Sequence, residues 1–333
     1  MSSRRQYIEP KHYSVHLTTD LDSVQFCGSV QIDFEIKQID QTYIKLDLLH
    51  LNIDLSKVTL EIRSSSTKLD CQFEINDFLE IYLLHNQTFH LNTTYQINIQ
   101  SFSGYISTDN QIGFYRSTVD IISYNQSNTN DVSIVKKHYG ITQMSPTHCR
   151  RVFPCFDDPS FRATFDLILD IPKHMHALSN MPHVSKQEHL LNNQTKRIYF
   201  QRTPSMPTFL FCFVIGEFDS VQCEPVQRLK SNSKFVFYNE QNEFNSYVYF
   251  SLSPIELTAY TLPGRKHEAT FALNCARKAL HFYADLFQIE YPMAKLDLVA
   301  VSDLFYPAME NWALILFKVR FDLNHVICCS KYV

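Results

Sequence analysis

The chain has 333 residues, more than one hydrophobic core usually holds, so two domains are expected. Apolar residues make up 45%, with 26 Phe and 18 Tyr against only 6 Gly, a balance that favours strand-rich structure with filled cores over flexible linkers. A net charge of −4 with scattered basic residues argues against a phosphate-binding surface, so nucleic acid is not an expected partner.

The opening MSSRRQYIEPKHYSVHL has no apolar stretch behind its basic residues, and no later run approaches the roughly 18 apolar residues of a membrane span. A cytoplasmic location without a membrane segment is the expectation. The 9 cysteines are odd in number and lack CxxC spacing, which argues against a disulfide framework or a cysteine-ligated zinc. Asn-x-Ser/Thr sequons at Asn86, Asn92, Asn125 and Asn193 point the other way, but arise readily by chance in an Asn-rich chain.

In chain order, the first clear element is 29-SVQIDFEI-36, where Val30, Ile32, Phe34 and Ile36 alternate with polar residues as in a half-buried strand. Similar runs follow at 43–51, 78–84, 95–100, 163–171, 197–201 and 209–218, separated by Asn, Ser and Pro clusters. Many short strands with turn-rich links predict an antiparallel sandwich or saddle.

After Phe218 the pattern changes: 228–255 reads as polar and irregular, and 268–287 has a helical period. Its apolar stripe is Ala272, Ala276, Ala279, Leu280, Tyr283, Leu286 and Phe287, opposite Arg277, Lys278, His281 and Asp285. The runs 296-LDLVAV-301 and 313-ALILFKVRF-321 predict buried strands, so a second domain has begun by about residue 219.

Candidate chemistry is sparse. A helix-borne H-E-x-x-H would place two imidazoles one turn apart on zinc, but the nearest approach is 267-HEATF-271, with Phe271 where a second ligand would stand. His267 and Glu268 therefore read as an acidic helix start. His12 and His16 share a strand face but lie roughly 13 Å apart along it, too far for one metal. His174 and His176, and His325 with Cys328 and Cys329, fall short of three spaced ligands. There is no G-x-S-x-G and no Gly-rich phosphate loop. In 150-RRVFPCFDDPSF-161 an arginine pair precedes Asp157 and Asp158, predicting a structural corner in which arginine clamps carboxylate.

The segments 141-ITQMSPTHCRRVFPCFDDPSFRATFDLIL-169, 177-ALSNM-181, 208-TFLFCFVIGEFD-219 and 289-IEYPMAKLDLVAVSDLFYPAMENWALI-315, with 9-EPKHYSVHL-17 and 113-GFYRS-117, resemble the puromycin-sensitive and alanyl aminopeptidases, zinc exopeptidases of the gluzincin class. The resemblance runs in order from about residue 9 to 317. It implies a mainly β chain with an α/β second part: an antiparallel β-saddle at 1–218, then at 219–333 the beginning of a thermolysin-like domain. It also implies that an extended peptide with a free N-terminus adds to an edge strand at the motif G-A-M-E-N, here Pro307, Ala308, Met309, Glu310 and Asn311. Glu310 would then pair with the peptide's α-ammonium.

The sequence departs from the family pattern in three respects. Zinc is the family's cofactor, but its H-E-x-x-H lies beyond G-A-M-E-N and no zinc ligands are found in this chain, so the expectation is a truncated chain without hydrolytic activity by itself. Pro307 replaces the first glycine and is expected to remove one ladder contact to a bound peptide or to reshape the edge. In the segment beginning at Gln143, itself placed with the substrate-binding residues, the family's second amine-binding Glu or Gln falls at Ser145, a neutral hydroxyl. The alternative reading is a non-catalytic peptide-binding or regulatory partner of a full-length aminopeptidase.

Overall fold

The computed structural model describes residues 7–38, 42–85, 87–125, 128–184, 189–228, 235–238, 244–248 and 253–319. The chain divides into two compact units, Met1–Gly216 and Glu217–Val333.

The first unit holds strands β1 (Ile8–Asp20), β2 (Gln25–Ile36), β3 (Tyr43–Asp47), β4 (Leu51–Ile53), β5 (Val58–Ile62), β6 (Thr67–Lys68), β7 (Cys71–Ile75) and β8 (Phe78–Leu83). It continues with β9 (Thr94–Tyr105), β10 (Gly113–Asn125), β11 (Asn128–Gln143), β12 (Thr164–Pro172), β13 (His176–Ser179), β14 (His189–Leu190), β15 (Thr195–Tyr199) and β16 (Phe213–Gly216). The largest sheet runs β14-β15-β12-β1-β2-β9-β5-β6, with β4 also on β9. Smaller sheets run β10-β11-β16-β13 and β3-β8-β7.

The named strands of this unit pair antiparallel except β1 and β12, which lie parallel and join the start of the chain to a strand about 150 residues later. Alternation drives the burial: Tyr13, Val15 and Leu17 of β1 and Val30, Ile32, Phe34 and Ile36 of β2 all point into one core. The run at 43–51 is not one strand but two, because His50 takes a left-handed backbone (φ 59°) and ends the extended segment. The run at 209–218 shortens to β16, since Pro207 introduces a 3-10 turn over Thr208–Leu210.

The polar face of the large sheet carries two charged triads. Asp170 accepts from Arg197 Nε and Nη2 at 2.7 and 2.8 Å and pairs with His16 Nε2 at 2.9 Å. Asp166 accepts from Arg202 at 2.9 and 2.6 Å and faces His12 Nε2 at 3.2 Å. His12 and His16 thus each face their own carboxylate.

The second unit holds β17 (Asp219–Gln222), β18 (Phe235–Tyr238), β19 (Phe244–Val248), β20 (Glu256–Thr261), α1 (Ala269–Phe287), β21 (Lys295–Val301), β22 (Ala308–Asn311) and β23 (Leu314–Lys318). Its main sheet runs β17-β20-β21-β23-β22, with β20, β21 and β23 parallel and antiparallel strands at both edges. α1 makes the crossover from β20 to β21 that a parallel pair requires. The hairpin β18–β19 corrects the expectation of an irregular 228–255: two aromatic-rich runs of four and five residues are too short for their alternation to stand out from the polar residues around them.

The helix stripe also needs correcting. Ala269, Ala272 and Leu273 are buried and Ala276 and Leu280 partly so, packed on Leu257, Ala259, Leu296 and Leu298; Ala284 is buried as well, whereas Tyr283, Leu286 and Phe287 are exposed. The small alanines let the helix approach the sheet on a line one position round from the bulkier residues. β21 is buried along its whole length, as its apolar run predicts, and its two charged residues pair with each other, Lys295 Nζ to Asp297 at 2.5 Å.

For Asp170, and likewise Asp166, burial pushes the carboxyl pKa up but the hydrogen bonds from the arginine and histidine outweigh it, leaving the pKa lowered. A carboxylate with a depressed folded pKa contributes stability that is present above its unfolded value, about 4, and lost as pH falls through the folded value. Arg197→Ala should therefore cost about 1–3 kcal/mol at pH 7, with the cost shrinking below about pH 4 as Asp170 takes up its proton. Urea unfolding across pH checks this, and a pH-independent cost would contradict the pairing.

A second expectation concerns Ala313, which sits at φ 60° in the turn between β22 and β23. Relief of that left-handed strain by Ala313→Gly, set against glycine's larger unfolded-state entropy, should raise stability by roughly 0.5 kcal/mol, readable as a higher urea midpoint.

Candidate functional site

β22 carries Ala308, Met309, Glu310 and Asn311 at the edge of the second unit's sheet, paired with β23 on one side only. Pro307 immediately precedes it, so the structure brings these five predicted residues onto one short segment. Lys318 N donates to Pro307 O at 3.0 Å, which makes 307/318 a hydrogen-bonded position of the antiparallel ladder. By alternation Met309 and Asn311 also turn their backbone groups towards β23, while the N–H and C=O of Ala308 and Glu310 turn outward to the free edge.

This corrects the expectation for Pro307. Its nitrogen faces Lys318, so the missing N–H falls on the inner side at the start of the strand, and the free edge keeps both of its donors. Side chains alternate as well: Met309 and Asn311 are buried, Glu310 is exposed and Ala308 half-buried. Among the described residues nothing pairs with the Glu310 carboxylate, and the buried Asn311 Nδ2 has no hydrogen-bond partner.

Trp312 and Ala313 form the two-residue turn that ends β22, and Ala313 O is held twice from β21, by Asp297 N and by Lys295 Nζ, each at 3.0 Å. That anchor fixes where the hairpin sits on the sheet. Just before the strand, Phe305 and Tyr306 are exposed, with ring centroids 4.9 Å apart in an edge-on arrangement.

Gln143 and Ser145 belong to the first unit. Gln143 is buried at the end of β11, opposite Gly113, and Ser145 is half-buried just beyond it. The corner that follows is built as the arginine-clamp reading predicts, but with different partners. Arg150 Nε donates to Asp157 Oδ2 at 3.0 Å and its Nη2 to Asp157 O at 2.8 Å, while Nη1 lies 3.4 Å from Asp47. Asp158 instead accepts from Ser160. Asp47 was not foreseen; it sits among the apolar residues of β3, which itself signals a buried carboxylate with a dedicated partner.

Two places among the described residues bear on the family's zinc, the start of α1 and a buried cluster in the first unit. His267 is exposed, Glu268 pairs with Arg265 at 2.5 Å, and Phe271 is exposed, so this helix start does not form a ligand set. Among the described residues one cluster has metal-ligand spacing: Cys149, Cys155 and Asp157, whose ligand atoms lie within 4.8 Å of one another in the first unit. Burial pushes both thiols up and keeps them protonated, and Asp157 already accepts from Arg150 and Thr208. That cluster is a packed structural corner, and among the described residues no group of side chains fits the family's zinc. His325, Cys328 and Cys329 lie outside the described residues.

Residues 9–210 match the Peptidase M1 N-terminal domain and residues 271–326 match the Peptidase family M1 domain. The puromycin-sensitive aminopeptidase of Caenorhabditis elegans is 28% identical over 94% of this chain and 28% of its own length. Aminopeptidase M1-A of Oryza sativa is 28% identical over 98% of this chain and 33% of its own. The alanine/arginine aminopeptidase of Saccharomyces cerevisiae is 30% identical over 94% of this chain and 31% of its own. The chain thus spans about a third or less of the length of these relatives. With its first 200 or so aligned residues on the N-terminal domain and an edge hairpin of the second domain in place, the chain belongs to the M1 peptidase family.

Proposed function

We propose that residues 1–333 carry the substrate-docking part of a zinc aminopeptidase, in which an extended peptide adds to β22 and its free α-ammonium pairs with Glu310. The observation that carries this reading is the combination at β22: an edge paired on one side, two outward backbone positions at Ala308 and Glu310, and an exposed, unpaired carboxylate on the second of them. Main-chain hydrogen bonds would supply affinity, and the carboxylate would restrict docking to chain ends. Hydrolysis is not assigned here, because bond cleavage in the family draws on a metal set that the described residues do not supply. The seven described cysteines are all free, which fits a reducing, cytoplasmic setting.

Fluorescence anisotropy with a labelled pentapeptide tests the docking. N-acetylation of the peptide, or Glu310→Gln in the protein, should weaken binding by about fivefold, or roughly 1 kcal/mol, because each removes one member of the ion pair. Equal affinity for free and acetylated peptides would refute the anchor. Metal analysis of the same preparation should find roughly no zinc per chain; stoichiometric zinc, or chelator-sensitive turnover of an aminoacyl-coumarin, would overturn the assignment of docking without cleavage.

A further inference from the structure

From the geometry of the edge we infer that Phe305 and Tyr306 form an aromatic subsite that selects peptides by the side chains at about the fifth and sixth positions from the free N-terminus. The inference rests on the docking reading above and adds a direction and a side-chain preference to it.

The direction follows from where β22 stops. After Asn311 the chain turns through Trp312 and Ala313 into β23, so there is no further edge beyond Glu310 on that side. A peptide whose amine sits at Glu310 can make ladder contacts only back towards Ala308, which means it runs antiparallel to β22. At about 3.4 Å per residue its first residue lies near Glu310 and its third opposite Ala308. The residues after that reach the segment preceding the strand, where Phe305 is 74% exposed and Tyr306 51% exposed.

Single exposed aromatics are ordinary on protein surfaces. Here two stand side by side, in contact at 4.9 Å and 82°, at the end of an unpaired edge along which a peptide would lie. An edge-on pair presents one ring face and one ring edge, which accepts another aromatic or a large aliphatic side chain and offers little to glycine or to a carboxylate. Pro307, between the pair and the strand, has its own φ fixed, which narrows the backbone freedom between the rings and Ala308.

The experiment uses the full chain and four labelled hexapeptides that share a small N-terminal residue. They carry either Phe or Gly at the fifth and sixth positions, each with a free and an acetylated amine. The Phe peptide with a free amine should bind about five- to tenfold tighter than its Gly counterpart. Phe305→Ser/Tyr306→Ser should remove that difference while leaving the advantage of the free amine over the acetylated one intact. Circular dichroism of this variant should match the parent, since both side chains are exposed.

Free-amine dependence without discrimination between Phe and Gly would overturn the subsite and leave the docking reading standing. Loss of both dependences would overturn both. A Phe preference that persists in the double variant, or one that ignores acetylation, would place the aromatic contact elsewhere and overturn the inference.

Discussion

The register of β22 on β23 is the constraint on which the candidate site depends. Strand side chains and backbone groups alternate with a period of two, so a slip by one residue would turn Glu310 into the core, Asn311 out of it, and the N–H-less Pro307 to the free edge. Several contacts oppose that slip. Met309 and Asn311 are buried on the core side, and the turn carbonyl of Ala313 is gripped by both Asp297 N and Lys295 Nζ. Lys295 can be buried there because Asp297 neutralises it at 2.5 Å. A charged pair inside a strand that otherwise reads as continuous apolar sequence thereby sets the position of an exposed carboxylate two strands away.

The first unit has a corresponding knot at its corner. Asp47 and Asp157 are both essentially inaccessible and share the Arg150 guanidinium. Backbone and hydroxyl donors complete their shells: Asp157 N to Asp47, Arg150 N to Asp157 and Thr208 Oγ1 to Asp157. Losing any one donor would leave a buried carboxylate short of partners, a costly outcome in a low-dielectric interior. The knot ties β3, through the Asp47–Cys155 bridge, to the 3-10 turn at Cys149–Arg151 and to the segment before β16. The two thiols of Cys149 and Cys155 are buried beside the Asp157 carboxylate of this knot.

Alternation made most of the β structure readable in advance, because one buried face writes itself into the sequence at every second residue, as in Val30 to Ile36. The motif at 307–311 was readable as a segment for a different reason, its resemblance to a family pattern. What escaped the sequence depended on contacts between distant residues or on backbone angles. His50 at φ 59° splits one apolar run into two strands, and nothing in its neighbours signals a left-handed residue there. The predicted helix stripe holds for Ala272, Ala276 and Leu280, which pack on the sheet, but not for its later members Tyr283, Leu286 and Phe287, because a helix lying close on a sheet does so through small residues and the larger ones face outward. Asp47 found its partners over a hundred residues away, beyond the reach of any local pattern.

Pro307 shows how the same residue can read as damage in sequence and as fit in structure. A proline at the family's glycine removes a donor wherever it stands; what matters is which way that donor would have pointed. At the first rung of β22 it would have pointed to Lys318, where the hairpin is already secured by Lys318 N donating to Pro307 O and by the pairing that follows. The outward positions are the next residue and the one two further on, and neither is proline. In exchange for one inner hydrogen bond the chain gains a fixed φ just ahead of the edge, which lowers the entropy lost when a ligand orders that segment. The substitution therefore stiffens the approach to the edge without removing any group that faces it.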